Sequence, residues 1–113
     1  VVEPCAQDLT AAVRFTINSS KITTEEAINV YNIAQWMNNN PECSIKVAGY
    51  ADKDTGTAEY NMKLSQKRAE AVQKMLIDTY KIAPSRIQIV AGGSATQPYP
   101  HNNWNRVVIF SGE

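Results

Sequence analysis

The sequence predicts an α/β two-layer sandwich, in which two long helices pack on one mixed sheet of four strands in the order β-α-β-α-β-loop-β. Short segments that alternate apolar and polar residues have the period of a strand, and two longer segments repeat apolar residues with the period of a helix. The helices separate the first three strands, whereas an irregular loop joins the last two. The 113 residues fit one compact domain.

The first predicted strand covers residues 12–17, and a polar loop at residues 18–21 follows it. The strand places three apolar residues on one side: Val13, Phe15 and Ile17. The preceding stretch, residues 1–10, has the composition of a linker or N-terminal extension. We therefore expect the domain proper to span residues 11–113 and to belong to a longer chain that was targeted before this point.

The first predicted helix begins at Thr23 or Thr24, because Thr23 and Glu26 have the spacing of a capping box. The asparagine run at residues 38–40 and Pro41 end it. Apolar residues at helical spacing form one buried stripe, which comprises Ala27, Val30, Ile33, Ala34 and Met37.

The second predicted strand covers residues 44–51 and leads through a turn-rich loop, residues 52–57, into a second helix at residues 58–80. The buried face of that helix is predicted to contain Leu64, Ala69, Val72, Met75 and Leu76. Beyond a connector broken by Pro84, the third and fourth strands are predicted at residues 86–91 and 105–110, on either side of the irregular loop 92–104.

Composition excludes several classes of function. The chain has 11 basic and 11 acidic residues and no basic face, so it is not expected to bind nucleic acid. It has no apolar run long enough to span a bilayer, so no membrane-spanning segment is expected within it. The two cysteines, Cys5 and Cys43, match no zinc or redox motif, and a disulfide and two unrelated thiols both remain open.

Charged residues of opposite sign are predicted to converge where the second strand ends. Asp52 follows that strand, and Asn61, Leu64 and Arg68 share one stripe of the second helix. A carboxylate can hold an ammonium and a guanidinium can hold a carboxylate in bidentate fashion, so such a pocket suits the zwitterionic head group of an amino acid. The alternative is that Asp52 and Arg68 simply form an intramolecular ion pair.

The same region carries an ordered motif. It comprises Gly49-Tyr50-Ala51-Asp52, Gly56, Asn61, Leu64-Ser65 and Arg68-Ala69. Further matches lie at Phe15, at Gly92 with Pro98, and at Asn105-Arg106 before two valines. The pattern resembles that of OmpA-like C-terminal domains, a family that includes the peptidoglycan-associated lipoprotein Pal and the flagellar stator protein MotB, and the resemblance covers nearly the whole chain.

The resemblance implies a function without catalysis or cofactor: a periplasmic domain of an outer membrane protein binds peptidoglycan and so anchors the membrane to the cell wall. The domain itself would be attached to the membrane only through a barrel or lipid anchor outside this sequence. The ligand would be the peptide stem of peptidoglycan, and the residue of the stem that the domain recognises would be meso-diaminopimelate. Carried over by motif, Asp52 would receive its ammonium, Arg68 its carboxylate and Leu64 its aliphatic chain. The remaining predicted ligand-binding residues are Asn61, the loop residues Asn18 and Ser19, Phe15 and Arg106.

The sequence departs from the family pattern in places that affect the site. Tyr50-Ala51 stands where His-Thr is commoner, and Val107 replaces a second arginine. The loop after Asp52 is one residue longer than usual, so Asp54 competes with Asp52 for the ammonium role.

The sequence also offers alternatives to wall binding. Asp52, Asp54 and Glu59 could supply the carboxylates of a wall hydrolase, but acids near a helix start are common for dipole reasons. The same acids lack the full ligand set of a calcium loop, and no metal is expected. An envelope protein-interaction module that has lost wall binding is a further alternative, and its binding surface would use the aromatic residues Tyr31, Trp36, Tyr99 and Trp104. The sequence also leaves open whether the chain forms a homodimer.

Overall fold

The computed structural model describes residues 5–113, so the first four residues of the predicted N-terminal extension lie outside the described residues. The strands are β1 (Asp8–Arg14), β2 (Ile45–Gly49), β3 (Ile87–Ala91) and β4 (Val107–Gly112). The long helices are α1 (Thr24–Asn39) and α2 (Ala58–Asp78), and short 3-10 helices occupy Pro84–Arg86 and Asn102–Asn105.

The four strands form one sheet in the order β1-β4-β2-β3. β4 is antiparallel to both of its neighbours, and β2 is parallel to β3, so the sheet is mixed. Both long helices contact the sheet, and the hydrophobic core contains residues from the helices and the strands. The predicted α/β two-layer architecture is therefore confirmed.

The apolar faces of the two helices form much of the core. On α1, four of the five predicted stripe residues are buried and Ala27 is half-buried. On α2, the predicted face is buried except for Met75, which is half-buried. Helical periodicity thus identified the packed faces correctly, because burial of one stripe is what stabilises a surface helix of a globular domain.

The start of α1 fixes the end of β1. Thr23 caps the helix by accepting a hydrogen bond from the Glu26 N–H at 3.3 Å. The Glu26 carboxylate does not complete a capping box within the helix. It accepts a hydrogen bond from the Arg14 N–H at 2.8 Å and so ties the last residue of β1 to the first turn of α1.

The first strand differs from the prediction at both ends. β1 begins at Asp8, within the stretch assigned to the extension, and ends at Arg14. The Phe15 N–H still donates to the Arg106 carbonyl at 2.7 Å, but β4 begins only at Val107, and in the described part of the chain no strand pairs with the residues after Arg14. The chain turns away, and Ile17, predicted to lie on the buried side, is 53% exposed.

The boundaries of the other strands also shift. β4 begins two residues later than predicted, because the chain forms a 3-10 helix as far as Asn105. β2 ends at Gly49. Two residues later, the Ala51 N–H donates to the Gly93 carbonyl, in the loop after β3, and not to β4. The third strand and both helices match their predicted ranges to within two residues.

Cys5 and Cys43 form a disulfide, with 5.3 Å between their Cα atoms. Cys43 lies two residues before β2, and the Gly112 N–H at the end of β4 donates to the Gln7 carbonyl close by. The cross-link therefore lies at the end of the sheet where β2 begins, opposite the end where β2 leads to Asp52. Of the two alternatives that the sequence left open, the disulfide is the one formed.

Candidate functional site

The loop between β2 and α2 is closed onto the start of the helix. Thr57 caps α2 by accepting a hydrogen bond from the Tyr60 N–H at 3.1 Å. The buried Asn61 amide donates to the main-chain carbonyls of Thr55 at 2.9 Å and Asp52 at 3.3 Å. Gly56 has a φ of +75°, and a Cβ there would lie 2.8 Å from the Asn61 side-chain oxygen. This position therefore requires glycine.

Asp52 is 2% exposed, and its carboxylate has three side-chain donors. The Thr55 hydroxyl lies 2.8 Å from each carboxylate oxygen, the Asn102 amide donates to Oδ2 at 3.1 Å, and Arg106 Nε donates to Oδ1 at 3.0 Å. The contact with Arg106 is an ion pair. The carboxylate is thus held in one orientation by groups from the loop and from the segment before β4.

Arg68 is fully buried, and among residues 5–113 its guanidinium is bonded to main-chain carbonyls alone. Nε donates to Ser19 at 2.8 Å, one Nη donates to Tyr50 at 2.9 Å, and the other donates to Thr16 at 3.2 Å. The guanidinium carbon also lies 5.3 Å from the centre of the Phe15 ring, which is a cation–π contact. Arg68 therefore fastens the loop after β1 to the end of β2.

These contacts leave both groups ionised at neutral pH. Burial alone would raise the pKa of Asp52, but the hydrogen bonds from Thr55, Asn102 and Arg106 and the charge of Arg106 outweigh it and lower that pKa. Burial lowers the pKa of Arg68 to about 10, and the Asp52 charge opposes that change. One anion and two cations give the group a net positive charge.

A pocket of about 410 Å³ opens beside these charges, between the loop after β1 and the first turns of α2. It is lined by Ile17, Asn18, Thr55, Gly56, Tyr60, Asn61 and Leu64. The Tyr60 hydroxyl contacts the Asn18 side chain across it. The lining combines amide groups with apolar side chains, which is typical of small-molecule sites.

The predicted site residues occupy three kinds of position. Asn18, Asn61 and Leu64 line the pocket. Asp52 and Arg68 lie behind the lining and are connected to it through bonds to Thr55 and to the loop that contains Asn18. The other three support those charges: Ser19 through its carbonyl, Phe15 through its ring and Arg106 through its ion pair.

The geometry bears on two points that the sequence left open. Asp52 and Arg68 do not form an ion pair, since the partner of Asp52 is Arg106. Asp54 is exposed, and it is its main-chain N–H that takes part in the site, donating to the Asn102 side-chain oxygen at 3.3 Å.

Thr55, Tyr60 and Asn102 belong to the site but were missed by sequence reasoning. Thr55 and Tyr60 lie inside the motif region, where turn and capping positions could have indicated them. Asn102 lies 50 residues from Asp52, and no local spacing connects the two.

Among residues 5–113, one cluster of three side chains has the donor atoms to hold a metal ion: Cys5, Glu42 and Cys43. Both of its sulfur atoms are joined in the disulfide. No helix in the described part of the chain is both long and apolar enough to cross a bilayer.

Comparison with known proteins decides the family. A sequence model of the OmpA family matches residues 14–108, which include every predicted ligand-binding residue. The chain belongs to the OmpA family. It is 52% identical over 99 residues to outer membrane protein 40 of Porphyromonas gingivalis, covering 88% of this chain and 26% of that protein. The peptidoglycan-associated lipoprotein of Mesorhizobium japonicum is 34% identical over 92 residues, covering 78% and 54%.

Solved structures of the OmpA family agree with the fold. The peptidoglycan-associated lipoprotein from Burkholderia pseudomallei has a TM-score of 0.83 at 25% identity, covering 92% of this chain and 91% of that one. The C-terminal domain of Helicobacter pylori MotB has a TM-score of 0.78 at 22% identity, covering 89% and 81%, and supports the fold alone.

The comparisons also bear on class and location. This chain spans about a quarter of the outer membrane relatives that it matches. The relatives are outer membrane and peptidoglycan-associated proteins and not enzymes, which confirms at the level of the family the expected non-enzymatic domain in the bacterial envelope.

Proposed function

We propose that this OmpA-family domain binds the peptide stem of peptidoglycan non-covalently and anchors the outer membrane to the cell wall. The observation that carries the proposal is that Asp52 and Arg68, buried charges of opposite sign, lie beside one pocket without neutralising each other. The names of the peptidoglycan-associated lipoproteins among its relatives support the polymer as the ligand.

The guanidinium has capacity left for a ligand carboxylate. Arginine has five N–H donors, and the hydrogen bonds to Ser19, Tyr50 and Thr16 use three of them. Two donors are left without a partner among the described residues. Because Arg68 is fully buried, a carboxylate reaches it only if the loop that contains Asn18 moves, and the net positive charge of the site favours that approach.

The ammonium of the same ligand would bind Asp52. A carboxylate can accept about four hydrogen bonds, and Thr55, Asn102 and Arg106 supply three donors. One acceptor position is left for an ammonium. A zwitterion such as the free end of meso-diaminopimelate satisfies both groups, with its aliphatic chain against Leu64.

The lowered pKa of Asp52 argues against a hydrolase. A glycosidase of the carboxylate type needs one acid whose pKa is raised so that it stays protonated. Asp52 is the buried carboxylate of the site, and its pKa is lowered.

Calorimetric titration tests the proposal. A muropeptide with a meso-diaminopimelate stem is titrated into the wild type and into Asp52→Asn, Arg68→Lys and the matched control Asp54→Asn, each checked for folding. We expect Asp52→Asn and Arg68→Lys to lose about 2 kcal/mol or more of binding free energy, roughly thirtyfold in Kd. Asp54→Asn should bind like the wild type, because Asp54 is exposed.

A second ligand separates diaminopimelate recognition from general wall binding. A stem with lysine in place of diaminopimelate lacks the terminal carboxylate, so it leaves the donors of Arg68 unsatisfied and should bind more weakly. Equal affinity for both stems would reject the diaminopimelate assignment. A folded wild type that binds neither stem would reject the anchor and favour a protein-interaction module.

A further inference from the structure

The loop between β3 and β4 presents three aromatic rings as one surface. The His101 ring is stacked on the Trp104 indole, with centroids 4.8 Å apart and planes 22° apart. The Tyr99 ring meets the same indole edge-on at 6.3 Å. Trp104 is 50% exposed and His101 is exposed. We call these three residues the aromatic platform.

The loop that contains the aromatic platform is held in place by side-chain hydrogen bonds. The buried Asn105 amide donates to Gln97 Oε1 at 2.8 Å and to the Tyr99 carbonyl at 3.0 Å, and its oxygen accepts from the Tyr99 N–H at 2.8 Å. Gln97 in turn donates to the Ala51 carbonyl at 3.0 Å. Rings held in this way lose little conformational entropy when a ligand stacks on them.

The platform is continuous with the proposed peptide site. Asn102 lies between His101 and Trp104 in the chain and donates to the Asp52 carboxylate at 3.1 Å. Arg106, the ion partner of Asp52, also donates to the Asn103 side-chain oxygen at 3.2 Å. A polymer that places an amino acid at Asp52 therefore has a neighbouring segment within reach of the platform.

We propose that the aromatic platform binds a sugar ring of the glycan strand that carries the peptide. One face of a pyranose consists of C–H groups, which pack on the electron-rich face of an indole or phenol ring. Arg14, Tyr99 and Trp104 also line a recess of about 200 Å³, where the guanidinium can donate to a sugar hydroxyl or N-acetyl oxygen. This inference rests on the proposed function and extends its ligand from peptide to peptide plus sugar.

The two tryptophans of the chain give an internal control for the test. Trp104 belongs to the platform, whereas Trp36 is half-buried on α1 near Gly112, at the disulfide end of the sheet. Indole N–H signals are followed by NMR with three probes: an N-acetylglucosamine tetramer, a free tripeptide ending in meso-diaminopimelate, and the corresponding disaccharide-peptide. The tetramer and the disaccharide-peptide should shift the Trp104 signal and leave Trp36 unmoved, and the tripeptide should shift neither.

Affinity measurements with variants complete the test. Trp104→Ala should bind the disaccharide-peptide about tenfold more weakly and the tripeptide unchanged, while Trp104→Phe restores most of the loss. Tyr31→Ala removes a similarly exposed ring on α1 and should change neither affinity.

The outcomes are separable. The platform assignment is overturned if Trp104→Ala, still folded, binds the disaccharide-peptide like the wild type, or if both indole signals move together. If the tripeptide fails to bind while the tetramer still shifts Trp104, the peptide pocket is wrong and the platform stands.

Discussion

The carboxylate of Asp52 is paired with Arg106, 3.0 Å away, and not with Arg68. Arg68 is bonded to three main-chain carbonyls and supports the loop after β1. The two charges that a zwitterionic ligand requires are therefore positioned by separate sets of contacts, and neither has to break an ion pair with the other when a ligand binds.

The hydrogen bonds that Asp52 accepts from Thr55, Asn102 and Arg106, together with the charge of Arg106, make the stability of the fold depend on pH. Folding lowers the pKa of Asp52 below its ordinary value of 3.8, so this group stabilises the fold fully above that pH. The contribution is lost as the pH falls through the lower pKa of the folded state. Between pH 5 and pH 2 the Tm of the wild type should therefore fall more steeply than that of Asp52→Asn, measured by circular dichroism. Parallel curves would contradict the role of Asp52, and Asp54→Asn serves as the exposed control.

Removing the guanidinium of Arg68 should cost more than removing an ordinary surface charge. Arg68→Ala removes a fully buried side chain and leaves three main-chain carbonyls without their donor, and we expect a loss of about 3 kcal/mol or more in urea unfolding. Arg68→Lys keeps the charge but cannot reach all three carbonyls, so it should lose less. Lys67→Ala, at the exposed neighbouring position on α2, should stay within about 0.5 kcal/mol of the wild type.

Gly49 sets how closely β2 approaches α2. A Cβ at this position would overlap the Ser65 main-chain carbonyl and lie 3.2 Å from the Ala69 side chain. Gly49→Ala should therefore cost about 1–3 kcal/mol in the free energy of unfolding, because the helix has to shift. Gly92→Ala is the comparison: its Cβ would chiefly meet the Tyr50 ring, which can rotate, so its loss should be smaller. Equal losses would show that the helix contact is not limiting.

The disulfide should stabilise the fold without affecting the ligand. It closes a loop with a sequence separation of 38 residues, and replacing both cysteines by serine should cost about 3–4 kcal/mol in the free energy of unfolding. The affinity for the muropeptide should change less than about twofold, because the cross-link lies at the opposite end of the sheet from Asp52. A large loss of affinity in the folded double variant would show that the two ends are coupled.

The helices and their caps could be predicted because their signals are local. The stripe of α1 and the Thr23 cap depend on residues three or four positions apart. Strand ends depend on a distant partner. β1 ends at Arg14 because β4 begins only at Val107, and the alternation that continues to Ile17 contains no information about that partner.

The residues of the site likewise divide into those that local spacing predicts and those that only the folded chain brings together. Asn61, Leu64 and Arg68 follow from helical spacing and from the family motif, which also gave Asp52. The Asp52–Arg106 ion pair and the Asn102 donor depend on a loop that returns after some 50 residues, and only the folded chain brings them together.

The disulfide also determines the path along which a mechanical force would be transmitted through this domain. Cys43 lies just before β2, an inner strand of the sheet, and β2 leads to the loop that contains Asp52. A pull on the segment before Cys5 would pass through covalent bonds into β2, which is held on both sides by hydrogen bonds that run across the strand. In the reduced domain the same force would have to act through β1, an edge strand bonded to β4 alone. Single-molecule extension should show a higher rupture force for the oxidised domain, which would act as a tether whose strength depends on the redox state of its surroundings.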